Sequence, residues 1–212
     1  MGEPKKGESA KLNSARARYN AEIVAGALML AESRILAQLL LAGTTPAEWK
    51  HALVVENVLQ KRSPATALRQ AALIKKRLET MEPELWQMVA QGNREVATQA
   101  LLAAAIKHSK MLGDFLTRVV KEHWRTFAKN LKPGEWAIFL EECQQLDPVV
   151  LEWSESTRNK LGQVIILCLV QAGYIENSRT LRLTPTHILP EIEAYLARHD
   201  EHYVLACLKV YE

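Results

Sequence analysis

The stretch TPAEWKHALVVENVLQKRSPATALRQAALIKKRL, residues 45–78, decides the fold class because it writes two helix starts in close succession. Thr45-Pro46-Ala47-Glu48 supplies an N-cap, a proline at the first helical position and a glutamate able to return the capping bond. Ser63-Pro64 repeats the cap-and-proline signal. In the segment that follows, Ala67, Ala71, Ile74 and Leu78 recur at helical spacing within one narrow arc. Arg69 and Lys76 fall on the opposite side, and Arg62 extends that row into the turn. The reading is two short helices joined by a tight turn. The second buries small apolar residues and presents Arg69, Lys76, Thr66 and Gln70 outward, the layout of an element that reads nucleic acid.

Around this pair the composition is that of an ordinary globular protein. The chain has 212 residues, 48% of them hydrophobic and 24% charged, and its 9 glycines and 8 prolines are sparse enough to favour helices over sheet. A net charge of +3 conceals an asymmetry, because residues 61–132 hold 14 Lys/Arg against 6 Asp/Glu. Residues 133–157 hold 6 Asp/Glu and no Lys or Arg. A basic middle beside an acidic stretch assigns one surface to a polyanion and another to a different partner. The plain alternative is that both are solvated helix faces.

Cys143, Cys168 and Cys207 are far apart, lie in apolar contexts and form no CxxC, as expected for buried thiols in a reducing cytoplasm. The apolar runs at residues 23–31 and 35–42 are split by Glu32-Ser33-Arg34, and each is far short of the ~20 residues of a membrane span. The start of the chain does not have the layout of a signal peptide. A soluble, cytoplasmic protein without membrane contact is expected.

Along the chain, residues 1–18 read as a flexible basic tail. Helices are expected at residues 20–42 with Gly43 as the stop, then the pair at 46–78, then 84–91. No proline interrupts the sequence from Asn93 until Pro133, so one long helix is expected there, with Gly113 as a bend or division. Further helices are expected at 136–145, after Asp147-Pro148, at 156–172 and from Pro190 to about Arg198. Positions 174–184 alternate as a small hairpin would. The fold class is therefore all-α, mostly helical, with a helix-turn-helix-like part in a domain of residues 19–145. A small winged-helix-like subdomain, with at most a short β-hairpin, follows at 146–212.

If the helix after Asn93 is continuous, Lys107, Lys110, Arg118, Lys121 and Arg125 share one arc and could neutralise several phosphates. Base edges would fall to Thr66, Arg69 and Gln70, and phosphates to Arg62, Ser63 and Lys76. Ser63 also has a capping role in either reading. The five tryptophans sit next to apolar positions, where core anchoring outweighs base stacking. No Gly-rich phosphate loop, GxSxG or HExxH occurs, and His199-Asp200-Glu201-His202 reads as a surface helix cap. No catalytic group, metal or cofactor is assigned.

Several strings resemble the BrxA family, small core proteins of bacterial BREX (bacteriophage exclusion) phage-defence systems. They are LMLAESRILAQLLLAG from Leu28, RSPATA from Arg62, EVATQALLAAAIKHS from Glu95, SESTR from Ser154 and DEHY from Asp200. The resemblance covers nearly the whole chain from Tyr19 onward. It implies a mostly helical cytoplasmic protein without known catalytic activity, working beside a DNA methyltransferase and ATPases that mark host DNA and block phage replication. Relatives have been labelled inner-membrane proteins, against which the interrupted apolar run argues, and have been likened to the RNA-binding NusB. The expected function is a non-enzymatic double-stranded DNA-binding accessory contributing to host/phage DNA discrimination. The alternatives are an adaptor for the methyltransferase or ATPases without nucleic-acid binding, and NusB-like RNA binding.

Overall fold

Residues 18–211 are described by a computed structural model as eleven α-helices with short 3-10 and π segments, and no β-sheet forms among them. The first five are α1 (Leu30–Leu41), α2 (Pro46–Val54), α3 (Pro64–Glu79), α4 (Pro83–Gln91) and α5 (Arg94–His108). Side chains that satisfy otherwise unpaired N–H groups set several of the starts. Thr45 Oγ1 accepts from the Glu48 N–H at 3.3 Å while Glu48 accepts from the Thr45 N–H at 2.8 Å, closing the capping box. Ser63 and Asn93 cap α3 and α5.

Helix α5 is the axis of the molecule. Of its 15 residues, 10 are buried, among them Ala97, Ala100, Ala103, Ala104 and Ala105, so neighbouring helices approach it closely from several sides. α1, α3 and α4 pack around it, and the arc Ala67, Ala71, Ile74 and Leu78 of α3 is no more than 1% exposed. Removing so much apolar surface from water is the main stabilising term.

Three expected elements differ from the observed ones. The helix expected over 20–42 is a 3-10 turn (Glu22–Ala25) and α1, separated by a break in which Met29 has φ 52°. Arg77, 2% exposed, holds that break by donating to the carbonyls of Ala27 at 2.5 Å and Gly26 at 2.9 Å. A buried guanidinium needs acceptors, and it takes these carbonyls where no carboxylate is at hand. Burial pushes its pKa below the ordinary arginine value. The turn between α2 and α3 is not tight but an irregular linker over 55–63. Within it Leu59 is buried and Asn57 clasps Lys61, accepting its N–H at 2.9 Å and donating to its carbonyl at 3.0 Å. The helix expected to run on from Asn93 breaks at Ser109, whose backbone is extended (φ −120°, ψ 95°). Gly113 does not divide it; a Cβ there would run into the Tyr203 hydroxyl.

After Ser109 come α6 (Lys110–Phe115), a π segment (Leu116–Val120), α7 (Lys121–Arg125), α8 (Glu135–Leu146), a 3-10 turn (Pro148–Glu152) and α9 (Glu155–Gln171). α10 (Pro190–Arg198) and α11 (His202–Leu208) complete the chain. α11, absent from the sequence reading, packs on α5 and α6 through Val204, Cys207 and Leu208. Phe115, Trp136 and Phe139 form an aromatic cluster with centroids 5.2–5.9 Å apart, under which Gly162 of α9 fits. All three cysteines are buried. One apolar cluster runs from Tyr19 to Val210, crossing the boundary drawn at 145/146. The basic tail, apart from Arg18, lies outside the described residues. No described helix is long and apolar enough to cross a membrane.

Candidate nucleic-acid interface

Arg62, in the linker before α3, and Arg69 on α3 are exposed and without an ion pair among the described residues. Ser63 is occupied as the cap and donates to Thr66 Oγ1 at 3.0 Å, so the two hydroxyls are tied to each other. Gln70 is half-buried and its Oε1 is buried without a hydrogen-bond partner. Lys76 reaches Glu22 at 2.6 Å, and His108 meets the other oxygen of that carboxylate at 3.0 Å. The Lys76 hydrogen bond holds Glu22 below the usual carboxylate range, whereas burial and then Arg77 push His108 down.

The second basic row does not share one helix, because the Ser109 break separates Lys107 from the rest. Lys107 pairs with Glu201, Arg118 with Glu142, and Arg125 with Glu122 at 3.0 Å. Lys110 lies 3.3 Å from Asp114 and 3.9 Å from the centroid of the Tyr203 ring. Asp114, 3% exposed, also accepts from Arg18 at 2.7 Å, Tyr19 at 2.8 Å and Tyr203 at 3.0 Å. Burial alone would raise its pKa, but these donors and the Lys110 charge outweigh burial and hold it below the ordinary aspartate value. Lys121 alone in this row has no ion pair among the described residues. Most of these cations thus already face carboxylates.

A second group of cations is placed differently. Residues 129–131, 174–176 and 181–183 run antiparallel as three short segments, with bridges Asn130↔Arg182 and Ile175↔Leu183. The Leu131 N–H donates to Leu181 O at 3.0 Å, Leu183 to Lys129 at 2.9 Å, and Thr184 to Tyr174 at 3.0 Å. Asn177 Oδ1 accepts from the N–H groups of Arg179 and Thr180 at 3.0 and 2.9 Å and fixes the tip. Leu131, Leu183 and Ile175 are buried, while Lys129, Lys132, Arg179 and Arg182 are exposed and have no ion pair among the described residues. Cross-strand spacing puts Arg182 within about 10 Å of Lys129 and Lys132, Cα to Cα. On adjoining α9, Asn159, Lys160 and Gln163 are exposed on one face. The sequence carried a usable signal for this group: in Leu181-Arg182-Leu183 the alternation turns Arg182 away from the face that buries Leu183.

A third surface is acidic and apolar. On α8, Ile138 (59% exposed) and Leu146 (50%) flank Glu141 and Glu142, and Leu151 (61%) and Glu152 follow in the 3-10 turn. No group of three or more potential metal ligands is assembled among the described residues.

Comparison with known proteins places this geometry in context. A family model for BrxA matches residues 17–200. A BREX protein BrxA from Paramagnetospirillum magneticum is 50% identical over 196 residues, covering 92% of this chain and 98% of that protein. A BREX protein BrxA from Escherichia coli O9:H4 is 34% identical over 188 residues, covering 89% and 88% of the two chains. The crystal structure of an uncharacterized protein from Magnetospirillum magneticum superposes with a TM-score of 0.83 at 48% identity, covering 91% of this chain and 99% of that one.

Proposed function

The chain belongs to the BrxA family of BREX phage-defence proteins, and from that premise we propose that it is a non-enzymatic, double-stranded DNA-binding component of such a system. The observation that carries the proposal is the placing of Lys129 and Arg182 on bridged segments, with Lys132 directly after the first of them and Arg179 in the turn between the other two, all four exposed and without an ion pair among the described residues. The order from α6 to position 183, helical run, paired segment, two helices, two paired segments, supports a winged-helix-like reading. In this reading Asn159, Lys160 and Gln163 of α9 face the major groove and the hairpin cations hold the flanking phosphates. Arg62 and Arg69 of the α2–α3 pair add a smaller, helix-turn-helix-like contact. Such a protein would contribute to discrimination between host and phage DNA in the cytoplasm.

The test is fluorescence anisotropy of a labelled duplex across a salt series, with unlabelled duplex, single strands and structured RNA as competitors. Binding that weakens steeply with salt and is competed best by duplex DNA is expected. Absence of binding at low salt overturns the proposal, and better competition by RNA moves it to NusB-like RNA binding.

A second reading is favoured by one specific observation, the exposed Ile138, Leu146 and Leu151 set beside Glu141 and Glu152. Apolar anchors rimmed by charge of one sign suit a basic protein surface. The methyltransferase or an ATPase of the same system would be the partner. Co-purification with either, lost on Ile138→Lys, tests it.

A further inference from the structure

Phe127 is 91% exposed, the most accessible of the large apolar side chains among the described residues. It also sits where the backbone favours glycine. The residue follows α7 with φ +55°, its N–H donating to the Trp124 carbonyl at 3.1 Å and that of Ala128 to the His123 carbonyl at 2.9 Å. This pair of bonds is a Schellman helix stop, whose left-handed residue is usually glycine because a Cβ there crowds the following carbonyl. Glycine would end α7 with less strain, and the ring covers no core. Neither helix termination nor packing accounts for a phenylalanine. Strain retained at such a position points to a use for the side chain outside the fold.

The surroundings indicate what that use is. Residues 123–134 include Arg125, Lys129 and Lys132 and no carboxylate, although Arg125 is paired with Glu122 from the preceding turn. Lys129 stands at the start of the first paired segment, whose Asn130 is bridged to Arg182. An apolar ring set among cations matches a polyanion that also offers flat aromatic faces.

We propose that Phe127 is a stacking wedge for duplex DNA. With the hairpin cations on the phosphates, its ring enters a base step and stacks on a partly opened base. The proposal rests on the DNA-binding reading above. A wedge of this kind favours steps that are already weakly stacked. A duplex with one mismatched pair should therefore bind roughly tenfold tighter than its matched counterpart, a ratio in keeping with the strength of base–aromatic stacking.

The experiment measures the affinities of the full chain and of Phe127→Gly for matched and singly mismatched duplexes. A 2-aminopurine beside the mismatch reports unstacking. Phe127→Gly relieves the backbone strain, so its melting temperature should rise and misfolding is not a concern. The expected result is a mismatch preference and a fluorescence rise for the native chain, both lost in Phe127→Gly and kept in Phe127→Trp. Equal affinities for the two duplexes in the native chain, or a preference that survives in Phe127→Gly, overturns the wedge while leaving DNA binding intact. Failure of the native chain to bind either duplex overturns both.

Discussion

The basic row on α3 and α5–α7 and the basic hairpin carry similar side chains but differ in what faces them. Lys76, Lys107, Lys110, Arg118 and Arg125 each meet a carboxylate, whereas Lys129, Lys132, Arg179 and Arg182 meet none among the described residues. Some of these carboxylates come from distant parts of the chain, Glu22 being 54 residues from Lys76 and Glu201 94 from Lys107, whereas Asp114 and Glu122 are helical neighbours of Lys110 and Arg125. A count of cations on a helix face therefore overstates what is available to a phosphate. The hairpin keeps its charges free because the chain around them offers few carboxylates: Glu176 pairs with none of them, and Glu135 is taken by His123 at 2.6 Å. Exposed ion pairs are individually weak, yet a phosphate must compete with a carboxylate already in place.

Substitutions in the two groups separate their contributions. Arg179→Glu with Arg182→Glu should lower duplex affinity roughly a hundredfold at fixed moderate salt, against a few-fold for Arg62→Glu with Arg69→Glu. Anisotropy titrations that rank them the other way would return the site to α3. Asp114→Asn should cost about 2 kcal/mol in a denaturant titration, because Arg18 and Lys110 then lose the charge they serve. Asp114's folded pKa is depressed, so its stabilisation is complete above about pH 4 and is lost as pH falls through the folded value. Melting temperatures of the native chain should fall below that pH, and those of Asp114→Asn should fall less. Gly162→Ala should cost about 1–2 kcal/mol, since a Cβ would lie 2.8 Å from the Trp136 ring and push α9 off α8. An unchanged melting temperature would contradict that packing. Lys76→Ala should change stability by no more than about 0.5 kcal/mol, its pair with Glu22 being exposed on both sides. Its duplex affinity should change less than about threefold.

Much of the fold was legible because helix ends are written locally. Thr45-Pro46, Ser63-Pro64, Asn93 and Pro190 mark starts that the molecule uses. What escaped was decided at long range. The break at 26–29 depends on Arg77, 50 residues away, which takes a carbonyl that α1 would otherwise have used. Ser109 ends α5 although the apolar pattern continues beyond it, since both sides of the break are buried. α11 was hidden because His199-Asp200-Glu201-His202 reads as a terminus, and only the packed α5 and α6 supply a face for Val204 and Cys207. The candidate site followed the same division. Arg62 and Arg69 were visible from helical spacing, whereas the convergence of Lys129 with Arg182 needed a pairing between segments some fifty residues apart.

The dependence of duplex affinity on salt concentration decides whether the hairpin cations or the helical ones hold the phosphates. It is measured for the native chain, for Lys129→Ala with Arg182→Ala, and for Lys76→Ala with Lys107→Ala. Slopes of log affinity against log salt should become shallower by roughly two in the hairpin pair and stay unchanged in the helical pair. Equal losses in both, or a loss confined to the helical pair, would contradict the account.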